Sequence, residues 1–271
     1  MPAPRYAGRV SRTIPKVSLD ALLVKRRLCA DRDAARARIV AGDVRVDGIA
    51  VTSPAARVSV EQRIDVGPAP RSWVGRGAHK LIGALDALGV DPAGCVAVDL
   101  GASTGGFTEV LLDRGAARVY AVDVGRGLLH WKLRTDPRVV LMEGTNARTM
   151  DPLPEPIDLV VGDLSFISLD RILPSVHRLL RPGGVAVVLV KPQFEAARAD
   201  VGADGKVRTE AARTATLVGA RECAISLGFD VLGGVDSTVP GARAGNVEHF
   251  LHLRRPDPGH TAPPAGGMLH S

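Results

Sequence analysis

Residues 98–107, which read Val-Asp-Leu-Gly-Ala-Ser-Thr-Gly-Gly-Phe, decide the fold of this sequence. An apolar stretch from Cys95 to Leu100 predicts a buried strand, and a helix from about Gly105 to Arg114 follows the glycine-rich turn. Glycines let the backbone approach a ligand closely, and the first N–H groups of a helix have no partner within it. The succession of strand, glycine-rich turn and helix therefore predicts a ligand site at the carboxyl end of the strand.

Two aspartates and the glycine spacing narrow the choice of ligand. Asp123 ends the next predicted strand, 22 residues after Gly101, where a carboxylate can hold two ribose hydroxyls of a nucleoside cofactor. Asp99 stands at the end of the first strand, where it can help to hold a cationic amino-acid group. The spacing of Gly101, Gly105 and Gly106 departs from the dinucleotide pattern, so a sulfonium cofactor fits better than a dinucleotide. A tight turn beside a helix-capping aspartate, without any ligand, is the remaining alternative.

Apolar strands alternate with helical patterns through the rest of the chain, which predicts a doubly wound α/β sheet of the Rossmann-like kind. Parallel strands with intervening helices are expected. The predicted strands are Arg118–Val122, Val139–Met142, Ile157–Gly162, Val185–Val190, Asp230–Val235 and Val247–Leu253, and the predicted helices are Leu169–Leu180 and Thr209–Leu227.

Four charged residues lie where the predicted strands end or in adjoining loops. Asp163 and Lys191 follow two apolar strands, Glu248 begins the last strand, and Lys80 lies in a glycine-rich segment near residue 75. Ligands of open α/β sheets bind at the carboxyl edge, so these side chains are expected to converge there. One such residue alone is more often part of a surface ion pair. Two acids and two bases together favour a functional site.

The first quarter of the chain carries all of the excess positive charge. The 271 residues have a formal net charge of +6; residues 1–70 hold 13 Lys and Arg against 7 Asp and Glu, and the remainder is neutral. Ser18 and Asp31 are predicted to cap two short helices, the second over Arg32–Ala41, and Asp47-Gly48 predicts a hairpin. Such a module is either a solvated basic surface or, as we favour, an anchor for a polyanion. The candidate residues for contacting such a polyanion, an RNA if the family resemblance described below holds, are Arg26, Arg27, Arg36, Arg38, Arg45 and Arg71.

Several classes of protein are disfavoured by what the sequence lacks. The three cysteines are far apart and have no histidines at ligand spacing, so neither a disulfide framework nor a metal site is expected. No stretch of 18 apolar residues occurs, and the basic N-terminus is not followed by an apolar core. We therefore expect a cytoplasmic protein without a membrane span or a metal, monomeric when free.

Five long motifs occur in one order along the chain. They are Gly-Arg-Gly-Ala-His-Lys-Leu at 75–81, Asp-Leu-Gly-Ala-Ser-Thr-Gly-Gly-Phe-Thr-Glu at 99–109, Gly-Asp-Leu-Ser-Phe-Ile-Ser at 162–168, Val-Lys-Pro-Gln-Phe-Glu at 190–195 and Gly-Asn-Val-Glu at 245–248. Together they resemble the TlyA family, the haemolysin-named ribose methyltransferases of ribosomal RNA. The resemblance spans residues 18–254, and residues 71–74 (Arg-Ser-Trp-Val) match the linker motif of that family.

This resemblance implies S-adenosylmethionine as the cofactor and 2′-O-methylation of cytidine in ribosomal RNA. The Lys-Asp-Lys-Glu tetrad of this family and of the related FtsJ ribose methyltransferases falls on Lys80, Asp163, Lys191 and Glu248, the catalytic candidates. Lys191 is expected nearest the ribose hydroxyl, either as a base or as a charged donor that orients it. The cofactor-binding candidates are Asp99, Gly101, Ala102, Ser103, Thr104, Gly105, Gly106, Phe107, Asp123, Val124, Asn146, Asp163 and Leu164.

The same resemblance suggests a division of the chain. A basic flexible arm (1–17) precedes an S-four-like RNA-binding domain of α+β structure (18–67), an interdomain linker (68–74), the methyltransferase domain (75–255) and a disordered tail rich in proline and glycine (256–271). Because the tail replaces the long C-terminal helix of family members that act on both ribosomal subunits, the large subunit is the favoured substrate and the small subunit the alternative.

Other functions remain as alternatives. A non-enzymatic ribosome-binding or assembly factor would keep the fold without the chemistry, but the tetrad and the glycine turn argue against it. Methylation of a small molecule would leave the basic module unexplained. Pore formation, which the family name suggests, has no support from a signal peptide or a membrane-length helix.

Overall fold

The computed structural model describes residues 15–67, 73–241 and 245–258. The chain forms two compact units, which divide between residues 72 and 73. The predicted arm up to residue 14, most of the predicted linker with Arg71, and the tail from residue 259 lie outside the described residues.

The first unit is a small α+β module with its own apolar core. Its elements are β1 (Lys16–Ser18), α1 (Leu19–Lys25), α2 (Arg32–Val40), β2 (Val44–Val46), β3 (Ile49–Ala50), β4 (Arg57–Ser59) and β5 (Ile64–Val66). β1 pairs with β4, and β3, β2 and β5 form a second antiparallel sheet. The two helices bury their apolar faces in a core shared with strands of both sheets, which includes Leu19, Leu22, Leu23, Ile39, Val44 and Val58.

Local signals in this unit were mostly correct. Asp31 accepts a hydrogen bond from the Ala34 N–H at 2.8 Å and so caps α2. Asp47 and Gly48 both have positive φ, which is the conformation that a two-residue hairpin requires. Ser18 precedes α1, but its side chain does not cap that helix, and α1 ends at Lys25 rather than near Leu28.

The second unit is built on a mixed sheet with the order β11-β12-β10-β9-β6-β7-β8. Its strands are β6 (Val96–Leu100), β7 (Arg118–Asp123), β8 (Val139–Glu143), β9 (Ile157–Gly162), β10 (Leu180–Val190), β11 (Asp230–Asp236) and β12 (His249–Arg254). Its helices are α3 (Gly77–Leu88), α4 (Gly106–Asp113), α5 (Trp131–Arg134), α6 (Leu173–Leu179), α7 (Pro192–Glu195) and α8 (Glu210–Ser226).

Helices cover both faces of this sheet, so its central strands are buried on both sides. One core lies with α6 and α8 and includes Val98, Val160 and Val188; the other lies with α3 and α4 and includes Ala97, Val161 and Val187. Residues that alternate along one strand thus enter opposite cores. The predicted Rossmann-like fold is confirmed, and its carboxyl edge carries the loops described below.

Three features of the sheet and its helices differ from the sequence predictions. β12 runs antiparallel to both β10 and β11, whereas parallel strands were predicted. The sequence could not show this, because an apolar pattern indicates that a strand is buried but not in which direction it runs. The helix predicted over Leu169–Leu180 is a 3₁₀ turn at Leu169–Arg171 followed by α6, since Pro174 has no N–H with which to continue a helix through this point. α3 was not predicted, because its glycines lower helix propensity and only its packed face stabilises it.

Candidate active site

The four charged candidates meet at the carboxyl edge of the sheet. Asp163 directly follows β9 and Lys191 directly follows β10, whereas Lys80 lies on α3 and Glu248 immediately precedes β12. Lys80 Nζ is 2.7 Å from Glu248 Oε2 and 3.4 Å from Asp163 Oδ2. Lys191 Nζ is 2.6 Å from Asp163 Oδ1. The side chains therefore form a continuous row of alternating charge, Glu248–Lys80–Asp163–Lys191.

The four side chains of this row are largely buried, which sets the cost of removing any one of them. The exposed fractions of the side chains are 3% for Glu248, 9% for Lys191, 10% for Lys80 and 20% for Asp163. Charges buried to this degree need close partners, because removing one partner leaves an uncompensated charge at a cost of about 3–5 kcal/mol. Two cations and two anions balance one another here. The row thus places each of the two lysines beside at least one carboxylate at the edge of the sheet.

Ser165 completes the surroundings of Lys191 and was not among the predicted site residues. Its Oγ accepts a hydrogen bond from Lys191 Nζ at 2.9 Å. Ser165 lies two residues beyond Asp163 in the loop after β9, at the same sheet edge. That position was the available signal, but a serine in a loop is too common to be chosen on position alone.

The glycine-rich turn between β6 and α4 has the backbone conformation that its glycines predict. Gly101 and Gly105 have φ of +82° and +99°, and Ser103 between them also has a positive φ. A Cβ at Gly101 would lie 3.0 Å from the backbone oxygen of Asp163, so the turn approaches the loop after β9 closely. A Cβ at Gly105 would collide with the side chains of Leu129 and Leu133. Glycine is therefore strongly favoured at both positions.

Asp123 ties the end of β7 to this turn. Its Oδ2 accepts a hydrogen bond from the Ser103 N–H at 2.8 Å, and its Oδ1 accepts one from the Gly125 N–H at 2.7 Å. The carboxylate is only partly buried. It therefore holds two loops at the carboxyl edge and still offers acceptor lone pairs to a ligand.

Asp99 lies beneath the turn and is completely buried. Its Oδ2 accepts hydrogen bonds from the Thr108 N–H at 2.8 Å and the Thr108 hydroxyl at 2.7 Å. Its Oδ1 has no hydrogen-bond partner within the described part of the chain. Burial raises the pKa of Asp99 to about 7, although the bonds from Thr108 act in the opposite direction.

The turn and the charged row line one cleft of about 660 Å³, a volume within the range usual for small-molecule sites. Its lining includes Lys80, Asp163, Lys191 and Glu248 from the row and Gly101, Ala102, Ser103, Thr104, Gly106 and Phe107 from the turn and the start of α4. Six cofactor candidates do not line it. Asp99 is buried, Gly105 is part of the turn, and Asp123 hydrogen-bonds to the turn. Val124 and Asn146 are exposed, and Leu164 packs against the core.

Two phenylalanines stand at the cleft without having been predicted there. Phe166 and Phe194 have ring centroids 5.3 Å apart, and Phe166 is 74% exposed with a φ of +64°. Glu195, which follows Phe194 in the chain, joins the two segments on which these rings lie. Its carboxylate accepts hydrogen bonds from the Ser168 hydroxyl at 2.7 Å and the Leu169 N–H at 2.8 Å. Burial raises the pKa of Glu195.

In the first unit, the candidate RNA-binding arginines fall into two groups. Arg26 donates to the backbone oxygens of Val60 and Gln62, and Arg38 donates to that of Gly67 with only 13% of its side chain exposed. These two guanidinium groups hold the fold of the unit. Arg27, Arg36 and Arg45 are exposed, and of these Arg36 is 3.1 Å from Asp20.

Neither a membrane span nor a metal cluster is found in the described residues. None of their helices is both long and apolar enough to cross a bilayer. No group of three or more His, Cys, Asp and Glu side chains in residues 15–67, 73–241 and 245–258 is arranged to hold a metal ion.

Family comparisons match both units. The model of the FtsJ-like methyltransferase family matches residues 73–255, and that of the S4 domain matches residues 17–64. The first match covers well over half of the chain.

Similar proteins extend over nearly the whole chain. One is the 16S/23S rRNA (cytidine-2′-O)-methyltransferase TlyA of Mycobacterium tuberculosis, 48% identical over 242 residues, which are 88% of this chain and 90% of that protein. Hemolysin A of Brachyspira hyodysenteriae is 38% identical and covers 82% of this chain and 93% of its own. The structure of a hemolysin-named protein from Streptococcus thermophilus has a TM-score of 0.67 and 38% identity, covering 90% of each chain.

Proposed function

Because this chain belongs to the TlyA family of FtsJ-like methyltransferases, we propose that it methylates the 2′-hydroxyl of a cytidine in ribosomal RNA with S-adenosylmethionine as methyl donor. The observation that carries the proposal is the buried row of alternating charge, which lines one cleft together with a glycine-rich turn. Action on ribosomal RNA implies a cytoplasmic location.

The residues around the turn fit such a cofactor. The unpartnered, fully buried Oδ1 of Asp99 suits a cationic amino group, and Asp123 at the end of β7 suits the ribose hydroxyls of a nucleoside. The cofactor-binding candidates at 101–107 would hold the remainder through backbone groups, with Val124, Asn146 and Leu164 at the ends of the neighbouring strands. The cofactor supplies a methyl group on a positively charged sulfur.

Lys191 is the residue that we place next to the acceptor hydroxyl. Lys191 donates a hydrogen bond to Ser165 and is ion-paired with Asp163 at 2.6 Å. An ammonium group has three N–H donors, so a further donor is available to the cleft that Lys191 lines. That donor can orient the hydroxyl and stabilise the charge that develops on its oxygen. Lys80, which lies between Glu248 and Asp163, keeps both carboxylates compensated.

The bonds and protons of the transfer balance within this row. A bond forms between the ribose oxygen and the methyl carbon as the bond between that carbon and sulfur breaks, which leaves a neutral thioether. The hydroxyl proton passes to Lys191 as Lys191 passes one of its own to Asp163, 2.6 Å away. Asp163 is a fifth exposed and can release the proton to water.

The first unit supplies the RNA-binding part of the proposal. It matches the S4 domain, and its exposed Arg27, Arg36 and Arg45 can contact phosphates. Phosphate contacts give affinity without reading sequence. The relative that is 48% identical is named for both 16S and 23S rRNA, so we propose the large-subunit RNA as a substrate and the small-subunit RNA as a second one to be tested.

The test uses the full-length protein with isolated 30S subunits, 50S subunits and their free RNA. S-adenosylmethionine labelled in its methyl group is the donor, and the modified nucleotide is located by mass spectrometry of nuclease digests. We expect 2′-O-methylcytidine at one position or very few. Labelled base atoms, or no transfer to any ribosomal RNA while the protein binds the cofactor, would contradict the proposal.

A further inference from the structure

The side chain of Asn246 joins three segments that border the cleft. It is buried, with 6% of the residue exposed. Its Nδ2 donates to Gln193 Oε1 at 3.2 Å and to the backbone oxygen of Gly205 at 2.9 Å, and its Oδ1 accepts from the Val207 N–H at 3.0 Å. The nitrogen and the oxygen of this amide are therefore both hydrogen-bonded to other segments of the chain.

The segment that Asn246 holds is a wall of the cleft. Residues 201–207, here called the 201–207 turn, are closed by a bridge between Val201 and Val207 and by a hydrogen bond from the Gly202 N–H to the Lys206 oxygen at 2.9 Å. Four of its residues line the cleft beside Lys191. Among the described residues, two hydrogen bonds join this turn to segments distant along the chain: the one that Val207 donates to Asn246 and the one that Asn246 donates to Gly205.

The other contacts of Asn246 lead to the charged row. Gln193 follows Lys191 by two residues and itself lines the cleft, and Asn246 precedes Glu248 by two residues. The backbone oxygen of Asn246 also accepts from the Gly241 N–H at 2.9 Å. One amide thus connects the segment of Lys191, the segment of Glu248 and the 201–207 turn.

We propose that Asn246 is a positioning residue for the acceptor side of the cleft: it holds the 201–207 turn beside Gln193 so that an RNA ribose is presented to Lys191. The inference rests on the proposed function and adds a residue to it. The side-chain hydrogen bonds of Asn246 go to Gln193, Gly205 and Val207 and, within the described part of the chain, none goes to the glycine-rich turn, so we expect its effect to fall on the acceptor and not on the cofactor. A displacement near 1 Å of a positioning group can cost about 100-fold in rate.

The test compares full-length Asn246→Ala with Val247→Ala, which truncates the exposed neighbour of Asn246. We expect Asn246→Ala to lower kcat/KM for ribosomal RNA by about tenfold or more, with a cofactor Kd within about twofold of that of the unchanged protein. The amide of Val207 should exchange hydrogen faster. Val247→Ala should match the unchanged protein in all three measurements.

A second variant distinguishes a loss of positioning from a loss of folding. Asn246→Asp keeps the size and the acceptor for Val207 but sets a carboxylate oxygen against the oxygens of Gln193 and Gly205, so it should show the same selective loss. Normal RNA kinetics in Asn246→Asp, or equal losses of cofactor binding, thermal stability and activity in both Asn246 variants, would overturn the inference. If the unchanged protein transfers no methyl group to RNA, the proposed function fails. Amide exchange and cofactor affinity then still decide whether Asn246 anchors the turn.

Discussion

At the scale of single residues, the two lysines of the site have different surroundings although they belong to one row. Lys80 lies between the carboxylates of Glu248 and Asp163, whereas Lys191 has one carboxylate and the hydroxyl of Ser165. A lysine between two acids mainly compensates their charge. The lysine with an uncharged partner is the one that can turn a donor toward a substrate, and our proposal that Lys191 acts on the acceptor rests on this difference.

Replacing Lys191 with alanine should abolish methyl transfer and leave cofactor binding nearly unchanged. The lost group acts on the acceptor, and Asp163 keeps Lys80 at 3.4 Å as a counter-charge, so folding should survive. Single-turnover assays with ribosomal RNA measure the transfer, and calorimetry measures cofactor affinity. Turnover close to that of the unchanged protein would refute the assignment, and Val247→Ala serves as the control.

The buried Asp99 predicts a dependence of stability on pH. Its pKa is about 7 in the folded chain against an ordinary value of 3.8, so between these values the folded state binds more protons than the unfolded state. Stability from this group is therefore present at low pH and is lost as pH rises toward 7. In the Asp99→Asn variant, whose side chain cannot ionise, this loss should disappear.

Denaturant unfolding of the unchanged protein and Asp99→Asn at pH 5 and pH 8 measures this effect. The variant should gain stability relative to the unchanged protein on going to pH 8, by up to roughly 3 kcal/mol. An identical difference at both pH values would show that Asp99 keeps one protonation state throughout this range.

At the scale of elements, the glycine turn and α4 are held by backbone conformation as much as by contacts. Gly105 is the residue before α4 and has a φ of +99°, a region that side chains with a Cβ rarely adopt. Its position against Leu129 and Leu133 leaves no room for a methyl group unless those side chains shift. The conformation of the turn therefore depends on the positive φ of Gly105 and on its packing against Leu129 and Leu133.

Replacing Gly105 with alanine should cost about 1–3 kcal/mol in stability, because the backbone is strained and the leucines must move. The displaced turn should also weaken cofactor affinity, since Ser103 and Thr104 line the cleft directly above it. Thermal unfolding and cofactor titration measure the two effects. Gly94→Ala is a useful control, because its φ is also positive but nothing lies within 4 Å of the added carbon. Unchanged cofactor affinity in Gly105→Ala would contradict this account of the turn.

At the scale of the whole molecule, the excess charge and the chemistry belong to different units. Residues 1–70 carry the net positive charge, and the cleft lies entirely within the second unit. Affinity for RNA and transfer of the methyl group should thus respond to different substitutions. The structure further separates exposed arginines from those that hold the first unit together.

The double substitution of Arg27 and Arg45 with alanine should weaken binding to ribosomal RNA and reduce its salt dependence. Each lost phosphate contact should lower the slope of log affinity against log salt by roughly 0.7–0.9. Arg38→Ala should instead destabilise the first unit, because Arg38 holds the backbone oxygen of Gly67. Filter binding across a salt series measures the slopes. Equal slopes for the unchanged and doubly substituted proteins would mean that these arginines are a solvated surface.

Much of the site could be predicted from the sequence, because its signals are local. The strand that ends at Leu100, the glycines at 101 and 105 and the cap at Asp31 each follow from burial or backbone conformation over a few residues. The meeting of Asp163 and Lys191 follows equally, because the ends of neighbouring parallel strands lie at one sheet edge.

Local sequence patterns were thus enough to predict the Rossmann-like fold of the second unit, a ligand site at its glycine-rich turn and the four residues of the charged row. They could not predict the order of the charges in that row, the direction of β12, the internal hydrogen bonds of Arg26 and Arg38, or the hydrogen bonds of Asn246. Each of these depends on contacts between distant parts of the chain, such as Lys80 and Glu248, which are 168 residues apart. Periodicity and turn signals report how each residue meets its sequence neighbours and solvent. Which distant side chains share a buried space is set by the packing of the complete fold.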